Sequence, residues 1–177
     1  MYEKGQGVAA DLVRAREFYE KACDGALAQG CFNLGLSYER GAAPASDEEI
    51  IAPFQRACDL GHPPACTRLA NVYDQEKRQA MDGMKAVQLY QRGCYGGDAP
   101  GCVRLGVLYG VGKVMPRDLA RAAQLFQKGC DGGEAAGCCF AGDTWAEGLG
   151  VPKDQAKAEE RFKKACDGGS AVSGYRS

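Results

Sequence analysis

Histidine is nearly missing from this chain: His62 is the single one among 177 residues. That excludes any centre built on several imidazoles. Neither charge is in excess, because 22 Lys and Arg stand against 23 Asp and Glu, a formal net charge of −1. Such a balance supplies no basic surface for nucleic acid or an anionic membrane. No run approaches the ~18 apolar residues that cross a bilayer. The opening residues, Met1-Tyr2-Glu3-Lys4-Gly5-Gln6-Gly7-Val8, have no apolar run behind their charges. They do not read as a secretory signal. Period-2 alternation is absent too, so no strands are expected, and a phosphate loop has no strand to follow.

Cysteine, by contrast, is plentiful. Ten cysteines and an apolar fraction of 45% describe a chain that can bury a core and that carries a staple of some kind. Their positions repeat. Cys23/Cys31, Cys58/Cys66, Cys94/Cys102 and Cys130/Cys138 are each eight apart, and the first members advance by 35 or 36 residues to Cys166. Other columns keep the step. Tyr2, Tyr38, Tyr73, Tyr109 and Trp145 form one aromatic column, and Tyr19, Phe54, Tyr90, Phe126 and Phe162 form another. Asp11, Ser46, Asp82, Asp118 and Asp154 precede the first cysteines, while Gly35, Ala70, Gly106 and Gly142 follow the second. A single deletion lies between Tyr38 and Phe54.

Each unit reads as two helices, A and B. The Asp or Ser column supplies N-caps, and Ser46 with Glu49 matches a capping box. Apolar residues at 119, 122, 123, 126 and 130 follow helical period until Asp131-Gly132-Gly133 turns the chain. The expected helices are 11–25, 28–40, 47–60, 63–78, 83–96, 99–111, 119–132, 135–147 and 155–168, alternately A and B. One αα unit cannot bury its apolar face alone, so neighbours stack on a shared core. The expected class is therefore all-α, an αα-hairpin repeat solenoid with one disulfide per hairpin. The array would span 1–177, with the end of a truncated repeat at 1–10, repeats at 11–45, 46–81, 82–117 and 118–153, and a partial repeat at 154–177.

Eight residues along one helix span about 12 Å, too far for a disulfide. The paired cysteines must instead face each other across the A–B turn. Bridges Cys23–Cys31, Cys58–Cys66, Cys94–Cys102 and Cys130–Cys138 are the leading reading. Buried reduced thiols come second. A metal is weakest, since no C-x2-C pair occurs. Cys139 and Cys166 stay unassigned; a bridge between them and two thiols at a frayed end are both open.

The units resemble the Sel-one-like repeat (SLR) family, relatives of tetratricopeptide repeats. The carrying residues are Tyr2, Gly5, Gly7, Val8 and Asp11; Trp145, Gly148, Gly150, Val151 and Asp154; and Tyr109, Gly112 and Asp118. Glu20-Lys21-Ala22-Cys23-Asp24-Gly25 and Lys164-Ala165-Cys166-Asp167-Gly168-Gly169 fit the same pattern. The cysteines make the chain similar to the Helicobacter cysteine-rich protein group and to mitochondrial intermembrane-space assembly factors of the same repeat type. The stretch from Asn71 to Arg78 departs by lacking the usual glycines.

The resemblance implies a tetratricopeptide-like right-handed superhelix. It also implies a scaffold that binds a protein or peptide on its curved surface. Its alternative is a β-lactam or peptidoglycan-fragment binder with slow β-lactamase activity, which makes a cell-wall-related ligand the second partner class. The residues do not supply the second chemistry. An S-x-x-K pair places a base beside the nucleophile, but Ser37 is followed by Arg40, Ser46 by Glu49 and Ser173 by Arg176. His62 lies in a turn two units from Cys139 or Cys166 and reads as a surface loop residue. Lys153, Lys157, Lys163 and Lys164 read as a solvated helix face, and the aromatic columns as interlayer core. No catalytic, cofactor-binding or metal residue is assigned, no cofactor is implied, and a monomer is expected. Met1 falls inside a repeat and the last A helix lacks its partner, so the sequence is expected to be a piece of a longer array. A truncated start predicts a periplasmic or secreted protein; a true start predicts a cytoplasmic one.

Overall fold

A computed structural model describes residues 12–40, 45–75 and 82–167. Among them are nine helices and no strand: α1 Leu12–Asp24, α2 Ala28–Glu39, α3 Asp47–Asp59, α4 Pro63–Asp74, α5 Gly83–Tyr95, α6 Ala99–Val111, α7 Leu119–Asp131, α8 Ala135–Glu147 and α9 Gln155–Asp167. The odd-numbered helices are the A helices and the even-numbered the B helices. They fall into two compact units, Met1–Asp82 and Gly83–Ser177. In the first, each of α1 to α4 packs on the next, and in the second each of α5 to α9 does the same.

The caps explain where the helices start. Ser46 closes the expected capping box: its Oγ accepts from the Glu49 N–H at 3.3 Å while the Glu49 carboxylate accepts from the Ser46 N–H at 2.8 Å. Asp118 and Asp154 accept from Arg121 N–H at 2.9 Å and Lys157 N–H at 3.1 Å. Asp11 lies outside the described residues. α6 and α8 end on left-handed glycines, Gly112 (φ 72°) and Gly148 (φ 73°), a conformation that costs glycine nothing. The expected helix 63–78 instead stops at Asp74. Gln75 there turns extended (φ −79°, ψ 110°), and the expected residues 76–78 lie outside the described residues.

The four bridges form as expected: Cys23–Cys31, Cys58–Cys66, Cys94–Cys102 and Cys130–Cys138, with Cα atoms 4.4, 4.7, 4.4 and 4.3 Å apart. All eight cysteines are buried, none more than 4% exposed. Each bridge joins the end of an A helix to the first turn of its B helix. Small residues make that approach possible. A Cβ at Gly137 would stand 2.7 Å from the Cys130 backbone nitrogen.

Adjacent hairpins lock through the other two columns. A Cβ at Gly35 would stand 2.6 Å from the Phe54 ring, and one at Gly106 would stand 2.7 Å from the Phe126 ring. Gly142 meets Phe162 in the same way. In α2, α6 and α8 the small residue is thus the hole for the aromatic knob of the following A helix. Around Phe126, Val103, Ala122 and Ala141 complete a buried cluster edged by Val107, Tyr109, Ala136 and Phe140.

The aromatic column on the B helices has a second task. Tyr73, Tyr109 and Trp145 each accept, through the backbone carbonyl, the N–H of the next cap residue, Asp82, Asp118 and Asp154, at 2.9 Å. In the second unit the ends of α6 and α8 are thereby held to the starts of α7 and α9 across their linkers. Tyr73 is buried, whereas Tyr38, Tyr109 and Trp145 are half-exposed, so only part of this column is the core it reads as.

Candidate functional site

Each unit has a groove bordered by its A helices. In the second unit, α5, the 112–118 linker and the start of α7 enclose about 830 Å³. The linker reaches α5 because Gly83 offers no side chain: a Cβ there would stand 2.9 Å from Val114 Cγ2. Met84, Val87, Met115, Pro116 and Leu119 form the apolar lining, with Met84 54% exposed. Arg117 and Arg121 stand beside them. Arg117 Nε donates to the Gly110 carbonyl at 2.9 Å. Arg121 is held by the Tyr109 hydroxyl at 3.2 Å and the Asp118 carboxylate at 3.5 Å. Both guanidinium groups are therefore positioned before any ligand arrives.

In the first unit, α1 and α3 border a smaller groove of about 340 Å³, with Glu20, Asp24, Glu49, Tyr38, Pro53 and Arg56 in its lining. Its charge is mostly negative. Burial and the Glu20 carboxylate push the Tyr38 hydroxyl above its usual range. Arg56 is already engaged with Asp24 at 3.4 Å.

The hydroxyls that a serine hydrolase would use are committed elsewhere. Ser37 Oγ donates to the Leu34 carbonyl at 2.6 Å and accepts from Arg16 at 3.3 Å, and Ser46 caps α3. Ser173 lies outside the described residues. His62 is more than the loop residue the sequence suggests. Its Nδ1 accepts the Ala65 N–H at 3.3 Å and so caps α4. Its Nε2 then donates to Gln29 Oε1 at 3.2 Å, and its ring stacks 4.6 Å from Phe32. Among the described residues no group of His, Cys, Asp and Glu could hold a metal, and no helix is long and apolar enough to cross a membrane. Cys139 is half-buried and packs against the Cys130–Cys138 bridge and Ala165. The side chain of Cys166 lies outside the described residues.

One arrangement has a sequence signal that the cysteine columns overshadow. Two before each first cysteine stand Lys21, Arg56, Arg92, Lys128 and Lys164; one after stand Asp24, Asp59, Tyr95, Asp131 and Asp167. Within each unit, the cation of the later A helix reaches the residue after the cysteine on the preceding A helix. Arg56 meets Asp24 and Lys164 meets Asp131, each at 3.4 Å. Lys128, facing Tyr95 where others have Asp, sits 4.6 Å from the ring centroid. Lys164 therefore belongs to a ladder between helices. Lys157 likewise lies 4.3 Å from the Trp145 ring centroid and 3.5 Å from Asp154, while Lys153 and Lys163 are exposed.

The family model of the Sel1 repeat matches residues 1–26, 28–50, 54–62, 63–98, 99–134 and 135–170, nearly the whole repeat array. The chain belongs to the Sel1 repeat family. Its fold is the helical-repeat solenoid of that family. A Sel1 repeat protein from Oxalobacter formigenes superposes with a TM-score of 0.86 at 32% identity, covering 96% of this chain and 70% of that one. A protective antigen of uropathogenic Escherichia coli with an SLR fold gives 0.88 at 26% identity, over 97% of this chain and 37% of the other. Helicobacter pylori cysteine rich protein B gives 0.59 at 30% identity, over 71% and 90%. Cytochrome c oxidase assembly factor 7A of Xenopus laevis is 38% identical over 82 residues, 45% of this chain and 36% of its own length. The Sel1 chain thus spans about a third of that curated relative.

Proposed function

We propose that this Sel1 repeat chain is a non-enzymatic binding module that holds a protein or peptide segment in a groove bordered by its A helices. The observation that carries the reading is the groove between α5 and α7. It has an apolar floor with an exposed methionine, and its charges are fixed in advance. A long unbranched methionine adapts to varied apolar side chains, which suits recognition of another chain. Random-peptide display on the oxidised protein tests it. Enriched peptides should bind in solution and lose binding to Met84→Asp. A library that enriches nothing over a reduced and unfolded control sinks the reading.

The compartment we propose is an oxidising one, periplasmic or otherwise exported, where four bridges persist. Partial likeness to an oxidase assembly factor is compatible with a role in holding another protein during assembly. The β-lactam reading has no comparable support, since Ser37 and Ser46 are tied into hydrogen bonds of the fold. Nitrocefin turnover by purified oxidised protein, above buffer and tracking with the protein through purification, would restore it.

A further inference from the structure

We infer that the α5–α7 groove takes an acidic peptide, one with a carboxylate side chain beside a bulky apolar one. The inference rests on the binding-module reading and deepens it. Three observations lead to it. The lining residues carry two cations, Arg117 and Arg121, against one carboxylate, Asp118. That carboxylate is already spent: it accepts the Arg121 N–H at the start of α7 and pairs with the Arg121 side chain. With the Asp118–Arg121 pair offsetting itself, the lining keeps one positive charge in excess, that of Arg117, and the groove offers a net positive field.

Both arginines are also pre-positioned. Arg117 is tethered through Nε to the Gly110 carbonyl, and Arg121 lies under the Tyr109 hydroxyl. Tethering removes part of the side-chain entropy that binding would otherwise cost. A guanidinium fork matches the two oxygens of a carboxylate, which gives orientation as well as attraction. The apolar half of the site lies alongside. Met84 and Met115 come from opposite banks, one from α5 and one from the linker, with Pro116 and Leu119 beside them. A leucine, methionine or phenylalanine of the ligand fits there, one or two residues from its acidic partner. The groove of the first unit has the opposite character, with Glu20, Asp24 and Glu49 against Arg56. It is not the site for this ligand.

Display with a random 12-residue peptide library reads the prediction directly, using wild type, the double variant Arg117→Glu/Arg121→Glu and the milder Arg121→Gln. Circular dichroism and non-reducing mass spectrometry confirm fold and bridges in each. Wild type should enrich a class pairing Asp or Glu with Leu, Met or Phe. A synthetic member of that class, carrying fluorescein, should bind at least tenfold more weakly when its acids become Gln or when NaCl rises from 50 to 300 mM. The double variant should lose that class, and Arg121→Gln should weaken it several-fold. Enrichment of only neutral or basic peptides overturns the inference and leaves the binding-module reading standing. So does an acidic class that both arginine variants bind as well as wild type does. Enrichment of nothing overturns both.

Discussion

Gly106 shows how tightly residue choices bind this repeat. Its missing side chain is the space that the Phe126 ring fills. Gly106→Ala should therefore push ring or helix aside and cost about 1–3 kcal/mol, read as a lower urea midpoint at unchanged m-value. His62 offers a test of a different kind. Its ring nitrogen caps α4, and the equivalent position of α6 holds Asp98, whose carboxylate accepts from the Gly101 N–H at 3.1 Å. His62→Ala should lose about 1 kcal/mol, and His62→Asp should recover most of it. A thermal melt in which Ala and Asp behave alike would remove the cap from the account. The glycine and aromatic columns are both legible in the sequence. Their identity as one contact is not, since they sit on different helices. His62 is illegible because histidine is an uncommon cap, recognisable only once the ring is placed.

Among the elements, the hairpin is the unit whose making the sequence reveals best. Cysteines eight apart cannot meet along one helix, so the spacing places each pair across the A–B turn, where the structure closes it as a bridge. Each bridge closes a short loop worth about 2–3 kcal/mol in the chain-entropy account. Cys94→Ser with Cys102→Ser should cost that much in urea unfolding, and a loss near zero would mean the packing around Gly101 and Val103 suffices. The ladder between A helices is less visible, because lysines and arginines on a helix look like solvated charge. Replacing Tyr95 by Asp would restore the acid found at 24, 59 and 131. Lys128 should then pair with it as Lys164 pairs with Asp131. Stability should stay level or rise by a few tenths of a kcal/mol, in a salt-sensitive way. The caps respond to acid. Hydrogen bonds from Ser46, backbone first, hold the Glu49 carboxyl below its ordinary range, and the Lys157 N–H does the same for Asp154. A carboxyl lowered by folding stabilises above its unfolded value and loses that contribution as pH falls through the folded one. Thermal midpoints should drop on acidification through the carboxylate range, and Ser46→Ala should flatten part of that drop.

For the molecule as a whole, fold class and repeat period were legible because four features recur with one step. The groove of the second unit was not. It depends on Val114 folding over Gly83 and on arginines held by a tyrosine and a carbonyl, none of which has a periodic signature. The end of α4 escaped for a related reason. Where the repeat pattern lapses after Asn71, periodicity has nothing to extrapolate. Formation of the bridges gives a test at this scale: alkylation of native, unreduced protein should modify at most two of its ten cysteines. Modification of more would mean that some of the paired cysteines are reduced thiols. The clasps also set how far the chain can be drawn out. Each ties residues eight apart, so each withholds roughly 20–25 Å of contour from a chain stretched by its ends. Under tension the oxidised protein would become a string with four small closed rings, recovering its full length only after a reductant reached sulfurs that unfolding had exposed.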